Sequence, residues 1–115
     1  MNLTLPWPPS VNAMYRVFKN RSILSAAGRA YIVESGKHLL IQKAAGLGID
    51  KRVAVSILVY PPDRRRRDLD NLLKGALDAL VHAQVIRDDS LIDRLTLERC
   101  NVVTDGKLLV TVEPL

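Results

Sequence analysis

Two aspartates, Asp68 and Asp70, stand directly behind four consecutive arginines, Arg64 to Arg67, and Lys74 follows one helical turn later. Paired carboxylates attract a hard divalent cation. Planar guanidinium groups match phosphate oxygens. Both chemistries within residues 64–74 point to metal-assisted reaction at a nucleic-acid backbone.

The spacing of the two acids says where they belong. In a helix, side chains at i and i+2 diverge by about 200°. In an extended segment they point to the same side. The pair is therefore expected in a connection running into a helix, where Asp70 also meets the positive end of the helix dipole. The competing structural reading is that one of the two merely caps that helix. Lys74 lies four residues after Asp70, positioned to reach a phosphate; its plainer role is an i, i+4 ion pair. Asn71 suits a supporting position beside the acids, and Asp78 extends the same polar face as a structural residue.

A second acidic pair, Asp88-Asp89, comes after the helix. A helix of some 15 residues spans about 22 Å, so these acids join the first pair only if the chain doubles back. Their plainer reading is as turn residues. Clustered carboxylates repel one another unless a cation is present. Oxygen ligands without a Cys/His set favour Mg²⁺, with Mn²⁺ as substitute, over zinc. The arginines in a row must mostly face outward, as a DNA-docking surface or as a solvated basic loop. His38 and His82 have no partner motif and are read as non-catalytic.

The elements that must hold these residues follow from periodicity. Asn2–Leu5 alternates as a short strand, stopped by Pro6-Trp7-Pro8-Pro9, an extended loop or sheet edge. Residues 12–21 mix basic and aromatic side chains and read as a loop. Ser25 is a helix N-cap, followed by a helix from Ala26 to about Ala45, with Ala30, Val33, Lys37, Leu40 and Ala44 along one side. Gly46 and Gly48 end it. Val53–Tyr60 is apolar on both faces, as a central strand is. Leu69, Leu72, Leu73, Ala76, Leu80 and Val81 form the core stripe of an amphipathic helix. Residues 92–100 and 107–113 alternate around Thr104-Asp105-Gly106 and read as a hairpin. The expected fold is α+β, a small mixed or antiparallel sheet with two main helices, in one domain spanning residues 1–115.

Composition sets bounds on the chemistry. The chain has 115 residues, 48% of them hydrophobic, enough for one core. The net charge of +5 permits a polyanionic partner. Cys100 is the single cysteine, so no internal disulfide forms. No apolar run approaches the roughly 20 residues of a membrane helix. A cytoplasmic protein without a membrane partner is expected.

The block from Asp63 to Leu72, with Lys74 and Asp88-Asp89 downstream, closely resembles the RusA family of Holliday junction resolvases. Leu5-Pro6-Trp7-Pro8-Pro9-Ser10 with Asn12 and Tyr15, and Ser25-Ala26-Ala27-Gly28-Arg29-Ala30-Tyr31, also resemble that family, in the same order along nearly the whole chain. The resemblance implies a homodimer that cuts four-way DNA junctions with Mg²⁺ or Mn²⁺. It implies Asp68, Asp70 and Asp89 as metal-binding catalytic acids and Lys74 as the catalytic lysine, with Asp88 the neighbour of the third acid. A C₂ dimer presents two sites related as the two cuts must be. The rival expectation is a non-catalytic junction-binding or regulatory module, in which the arginines hold DNA and the acids only cap; a nuclease acting on structured RNA is more distant.

Overall fold

The computed structural model describes residues 1–115. The elements run β1 (Asn2–Pro6), α1 (Val11–Met14), β2 (Tyr15–Phe18), β3 (Arg21–Leu24), α2 (Ala26–Ile41), β4 (Val53–Tyr60), α3 (Asp70–His82), a 3-10 turn (Asp89–Leu91), β5 (Ile92–Arg99) and β6 (Lys107–Pro114). This is the expected α+β class, with a mixed four-stranded sheet in the order β1-β6-β4-β5.

β4 is central because its alternation buries one full face: Val53, Val55, Ile57 and Val59 are all nearly inaccessible. β-branched side chains suit that pleated, packed position. The amphipathic stripe of α3 supplies the opposing layer through Leu72, Ala76, Ala79 and Leu80. β4, α3 and β5 form a strand-helix-strand unit, and β5 pairs parallel to β4, as a helical crossover permits.

β5 and β6 do not form the expected hairpin. β6 pairs antiparallel to β4 on the side away from β5. The connection 100–106 instead wraps the end of β4, where Cys100 N–H donates to Val59 O at 2.8 Å and Val103 N–H to Pro61 O at 2.9 Å. The turn itself is real: Asp105 and Gly106 both have φ of 67°. Alternation around a turn specifies strands, and leaves open that β4 takes the place between them.

Residues 12–21 are not a loop. They hold the end of α1, all of β2 and the start of β3, and β2 and β3 form a separate hairpin. Its two-residue turn has Lys19 at φ 50° and Asn20 at φ 62°, the pattern of a type I′ turn. With no glycine there, only asparagine's tolerance of the left-handed region hinted at it.

α2 begins as expected, with Ser25 Oγ accepting from Gly28 N–H at 2.9 Å. It ends at Ile41, earlier than expected, and its inward face is a different one. Gly28, Tyr31, Ser35 and Leu39 are buried, whereas Val33, Leu40 and Ile41 are exposed by 59%, 68% and 80%. Close approach explains this rotation. A Cβ on Gly28 would lie 2.2 Å from Met14 O, so the small residues must face inward. Tyr31 Oη also donates to Pro6 O at 2.8 Å, tying the helix to the end of β1. The free edge of β1 is blunted: the Gln42 amide accepts from Thr4 N–H at 2.7 Å and donates to Thr4 O at 2.8 Å.

Candidate active site

The arginine-aspartate stretch is the connection from β4 into α3, and Asp63 organises it. Its carboxylate accepts from Arg65 N–H at 3.0 Å and pairs with Arg67 Nη2 at 2.7 Å. These bonds hold the Asp63 carboxyl down to about 2. Arg67 is the least exposed of the arginines, with 20% of its side chain accessible. Its guanidinium lies 5.4 Å from the centre of the Trp7 ring. Arg64, Arg65 and Arg66 face outward, as a basic docking surface requires.

Asp68 and Asp70 straddle the start of α3 rather than lining one extended segment. Leu69 between them is already helical, at φ −59° and ψ −39°, and no side chain caps the helix. Asn71 N–H donates to Asp68 O at 3.2 Å, so the helix opens on a tight backbone turn. Neither carboxylate is consumed as a cap, and both side chains are exposed. At the first turn they add negative charge to the positive helix end.

Lys74 pairs forward with Asp78, at 3.2 Å, not back with Asp70. Its ammonium also lies 5.6 Å from the centre of Tyr15. Burial, with a further contribution from the charge of Asp89, pushes the Asp78 carboxyl up. The Tyr15 hydroxyl is buried without a hydrogen-bond partner. Tyr15, Lys74, Asn12, Arg16 and Ser22 border an open hollow of about 510 Å³.

The chain does double back after α3. Val85 and Ile86 are fully buried anchors, and Ile86 bridges to Ile49. The 3-10 turn then packs beside α3. Asp88 is engaged there: its carboxylate accepts from Ser90 N–H at 3.2 Å and from the Ser90 hydroxyl, which holds its carboxyl below the usual range. Asp89 has no such partner and is exposed. Its influence falls on Asp78, and Asp78 stands about 12 Å along the helix axis from Asp70. No three carboxylate, histidine or cysteine side chains converge closely enough to hold one metal ion. His38 pairs with Glu34 on the exposed side of α2, at 3.3 Å.

Three residues escaped sequence reasoning as parts of this surface. In the sequence Asp63 reads only as the edge of a motif, although an aspartate preceding arginines is a natural anchor for a basic loop. Tyr15 was one aromatic among basic residues. Arg99 lies at the far end of β5, and its guanidinium donates to Arg67 O. Only the sheet register brings it there, since Arg99 pairs with Val59 at the end of β4.

Known proteins match this chain along nearly its whole length. The family model for endodeoxyribonuclease RusA matches residues 6–113. A crossover junction endodeoxyribonuclease RusA of Escherichia coli is 39% identical over 114 residues, covering 99% of this chain and 94% of the relative. That of Shigella sonnei is 38% identical over 111 residues, covering 96% and 92%. The protein of the same name from Enterobacteria phage 82 is 37% identical over 111 residues, with the same coverage. Matches of this extent, spanning nearly the whole chain, establish that the chain belongs to the RusA family of endodeoxyribonucleases.

Proposed function

We infer that this chain is a crossover junction endodeoxyribonuclease, which resolves four-way DNA junctions in recombination and repair. Full-length similarity to relatives of that name carries the inference. The site supports it: a basic loop beside carboxylates that cap nothing and pair with nothing, and a lysine on the same helix.

We further propose that Asp68, Asp70 and Asp89 hold Mg²⁺, or Mn²⁺ in its place. The donor chemistry fits, being oxygen alone. Mg²⁺ is commonly bound by one or two carboxylates plus substrate phosphate rather than by an all-protein cage. Asp68, Asp70 and Asp89 do not converge on one point here, so this reading requires Asp89 to move toward the start of α3 when cation and DNA bind. When bound, the cation would supply Lewis acidity toward a phosphate oxygen. The chain's own residues do the remainder. The arginines fix the DNA backbone, and Lys74 leaves Asp78 to donate to the phosphate. Asn71, whose backbone bonds Asp68, supports the first acid from behind. Water adds to phosphorus as the bond from phosphorus to one sugar oxygen breaks. The water's proton passes to solvent or to a nearby carboxylate, and the departing sugar oxygen takes up a proton from solvent to leave as a hydroxyl. Two such sites in a C₂ homodimer would match the two-fold symmetry of paired cuts. No helix is long and apolar enough to cross a membrane, and we place the protein in the cytoplasm with its substrate.

The test is a labelled synthetic four-way junction incubated with and without Mg²⁺ beside linear duplex, with sedimentation reporting the dimer. Paired cuts in the junction alone, dependent on the cation, are expected. Asp70→Asn should bind the junction at least as tightly, because a repelling charge is gone, while cleavage falls by a factor of about 10³ or more, the scale on which loss of a charge-stabilising group acts. Full cleavage by that variant, or binding that ignores Mg²⁺ with no scission, would leave the non-catalytic junction-binding module as the better reading.

A further inference from the structure

Trp7 is the only tryptophan in the chain, and it forms a wall of a cleft. Prolines on both sides fix the backbone that carries it. Across from it the connection 100–106 closes in at Gly106, where a Cβ would lie 3.0 Å from Trp7 Cε3 and 2.9 Å from Pro62 Cδ. Gly106 also has a left-handed φ of 67°, so two separate constraints demand glycine there. The cleft behind this contact has a volume of about 250 Å³ and is lined by Leu69, Leu72 and Val102 on its apolar side and by Arg67 and Arg99 on its polar side. That volume equals roughly eight waters' share of liquid, which leaves room for a planar base.

The cleft opens toward the acids. A shallow polar hollow of about 400 Å³ is lined by Arg66, Arg67, Asp68 and Arg99, and those three arginines also line the cleft. A DNA strand with a phosphate at Asp68 therefore has a neighbouring nucleotide within reach of Trp7. The platform is already assembled. Arg67 is stacked on the indole and held by Asp63, and Arg99 is held by the Arg67 carbonyl. Indole and guanidinium planes are the surfaces on which unstacked bases rest.

We propose that this cleft is a subsite for one unstacked nucleobase of the strand engaged at Asp68, resting against Trp7 and Arg67 and presenting acceptor atoms to the arginines. Arginines offer donors only, and the one carboxylate among the lining residues, Asp63, is committed to Arg65 and Arg67. Extrusion beside the site would let the enzyme discriminate between nucleotides at the cut. The proposal rests on the junction-cleaving reading above.

Because Trp7 is the sole indole, its emission reports the cleft directly. A synthetic four-way junction is added in chelating buffer, so that it stays intact, and an abasic position is walked through the nucleotides next to the crossover. Binding of the intact junction should quench Trp7, and removal of one particular base should abolish the quench while backbone binding persists. Val102→Phe, at an exposed position on the connection, should fill the cleft and also abolish the quench. With Mg²⁺ present, that variant on the intact junction should cut about tenfold more slowly than wild type. Wild type on the abasic junction should show the same loss, and the two changes together should cost no more than either alone, as coupled contacts require. A quench indifferent to every abasic position, or losses that add, overturns the subsite. A wild-type protein that cuts no junction at all overturns the function on which it rests.

Discussion

Arg67 Nη2 stands 2.7 Å from Asp63 Oδ1, and Arg65 pairs with the other oxygen of the same carboxylate, so the arginine run divides into two engaged members and two free ones. Arg67 turns back across the loop, bonds the Asp63 and Arg65 carbonyls, and covers Trp7. Its neighbours are left facing solvent. One carboxylate thereby converts four adjacent positive charges, which would otherwise repel and spread, into a shaped surface leading to Asp68.

The pH dependence of this loop has a definite sign. A carboxyl whose folded-state value is lowered stabilises the fold above its unfolded value of about 3.9. Asp63, held down to about 2, should contribute in full above pH 4 and lose its contribution between pH 4 and pH 2. Urea unfolding of wild type and Asp63→Asn across pH 2 to 6 checks this. The variant should be the less stable at pH 6, and the gap should close on acidification. Parallel curves over the whole range would show that the pair contributes nothing.

Strand β4 and helix α3 were legible in the sequence because one apolar pattern decides each of them. Val53 to Val59 can only be a packed strand, and Leu72, Ala76 and Leu80 can only be one helix face. The inward face of α2 was not legible, because it is chosen by close approach at Gly28 and Ser35 rather than by hydrophobicity. The partner of β6 was not legible either, since pairing across β4 is a long-range choice that local alternation does not encode. At the site, the acids and the arginines could be read as a chemistry. Which acids are free could not, because that depends on Ser90 meeting Asp88 and on Leu69 turning helical before Asp70.

Salt dependence should separate the free arginines from the two held by Asp63. Arg64 and Arg66 make no ion pair within the chain, so each is available to displace a counterion from DNA. Replacing both by alanine should reduce the slope of log K against log salt by about 1.8 for duplex arms. Fluorescence anisotropy of a labelled junction between 50 and 200 mM salt, the range over which such contacts are lost, gives the slope. An unchanged slope would place the DNA elsewhere on the surface.

Gly28 illustrates a conflict between helix propensity and packing. Alanine in place of glycine within a helix ordinarily stabilises by about 1 kcal/mol. Here its Cβ would meet the Met14 carbonyl oxygen, a backbone atom that cannot rotate aside. Overpacking of this kind costs about 1–3 kcal/mol, so Gly28→Ala should be destabilising on balance. Met14 also faces Gly75 on α3, where a Cβ would lie 3.6 Å from its Sδ, so displacement should be transmitted toward Lys74. Gly36, which has open space around it, is the internal control: Gly36→Ala should be stabilising. Thermal unfolding of the two variants measures both signs.

Asp88 and Asp89 are neighbours with separable roles. Asp88 spends its carboxylate on the Ser90 amide and hydroxyl, and so fixes the turn that presents Asp89. Asp89 makes no such bond and stands free beside α3. Asp88→Asn keeps an oxygen that can accept from Ser90 while removing the charge, so junction cleavage should stay within several-fold of wild type, the turn being weakened and not lost. Asp89→Asn should reduce cleavage by a factor of about 10³, as loss of a group acting on developing charge does, while leaving junction binding and the thermal midpoint in place. Ser90→Ala adds a third measurement. It removes the hydroxyl that engages Asp88, so it should mimic Asp88→Asn in cleavage rate and lower the thermal midpoint slightly. If Asp88→Asn instead produced the larger loss, and Ser90→Ala left the rate untouched, Asp88 would be the reactive acid and the turn would have to reorganise before cleavage.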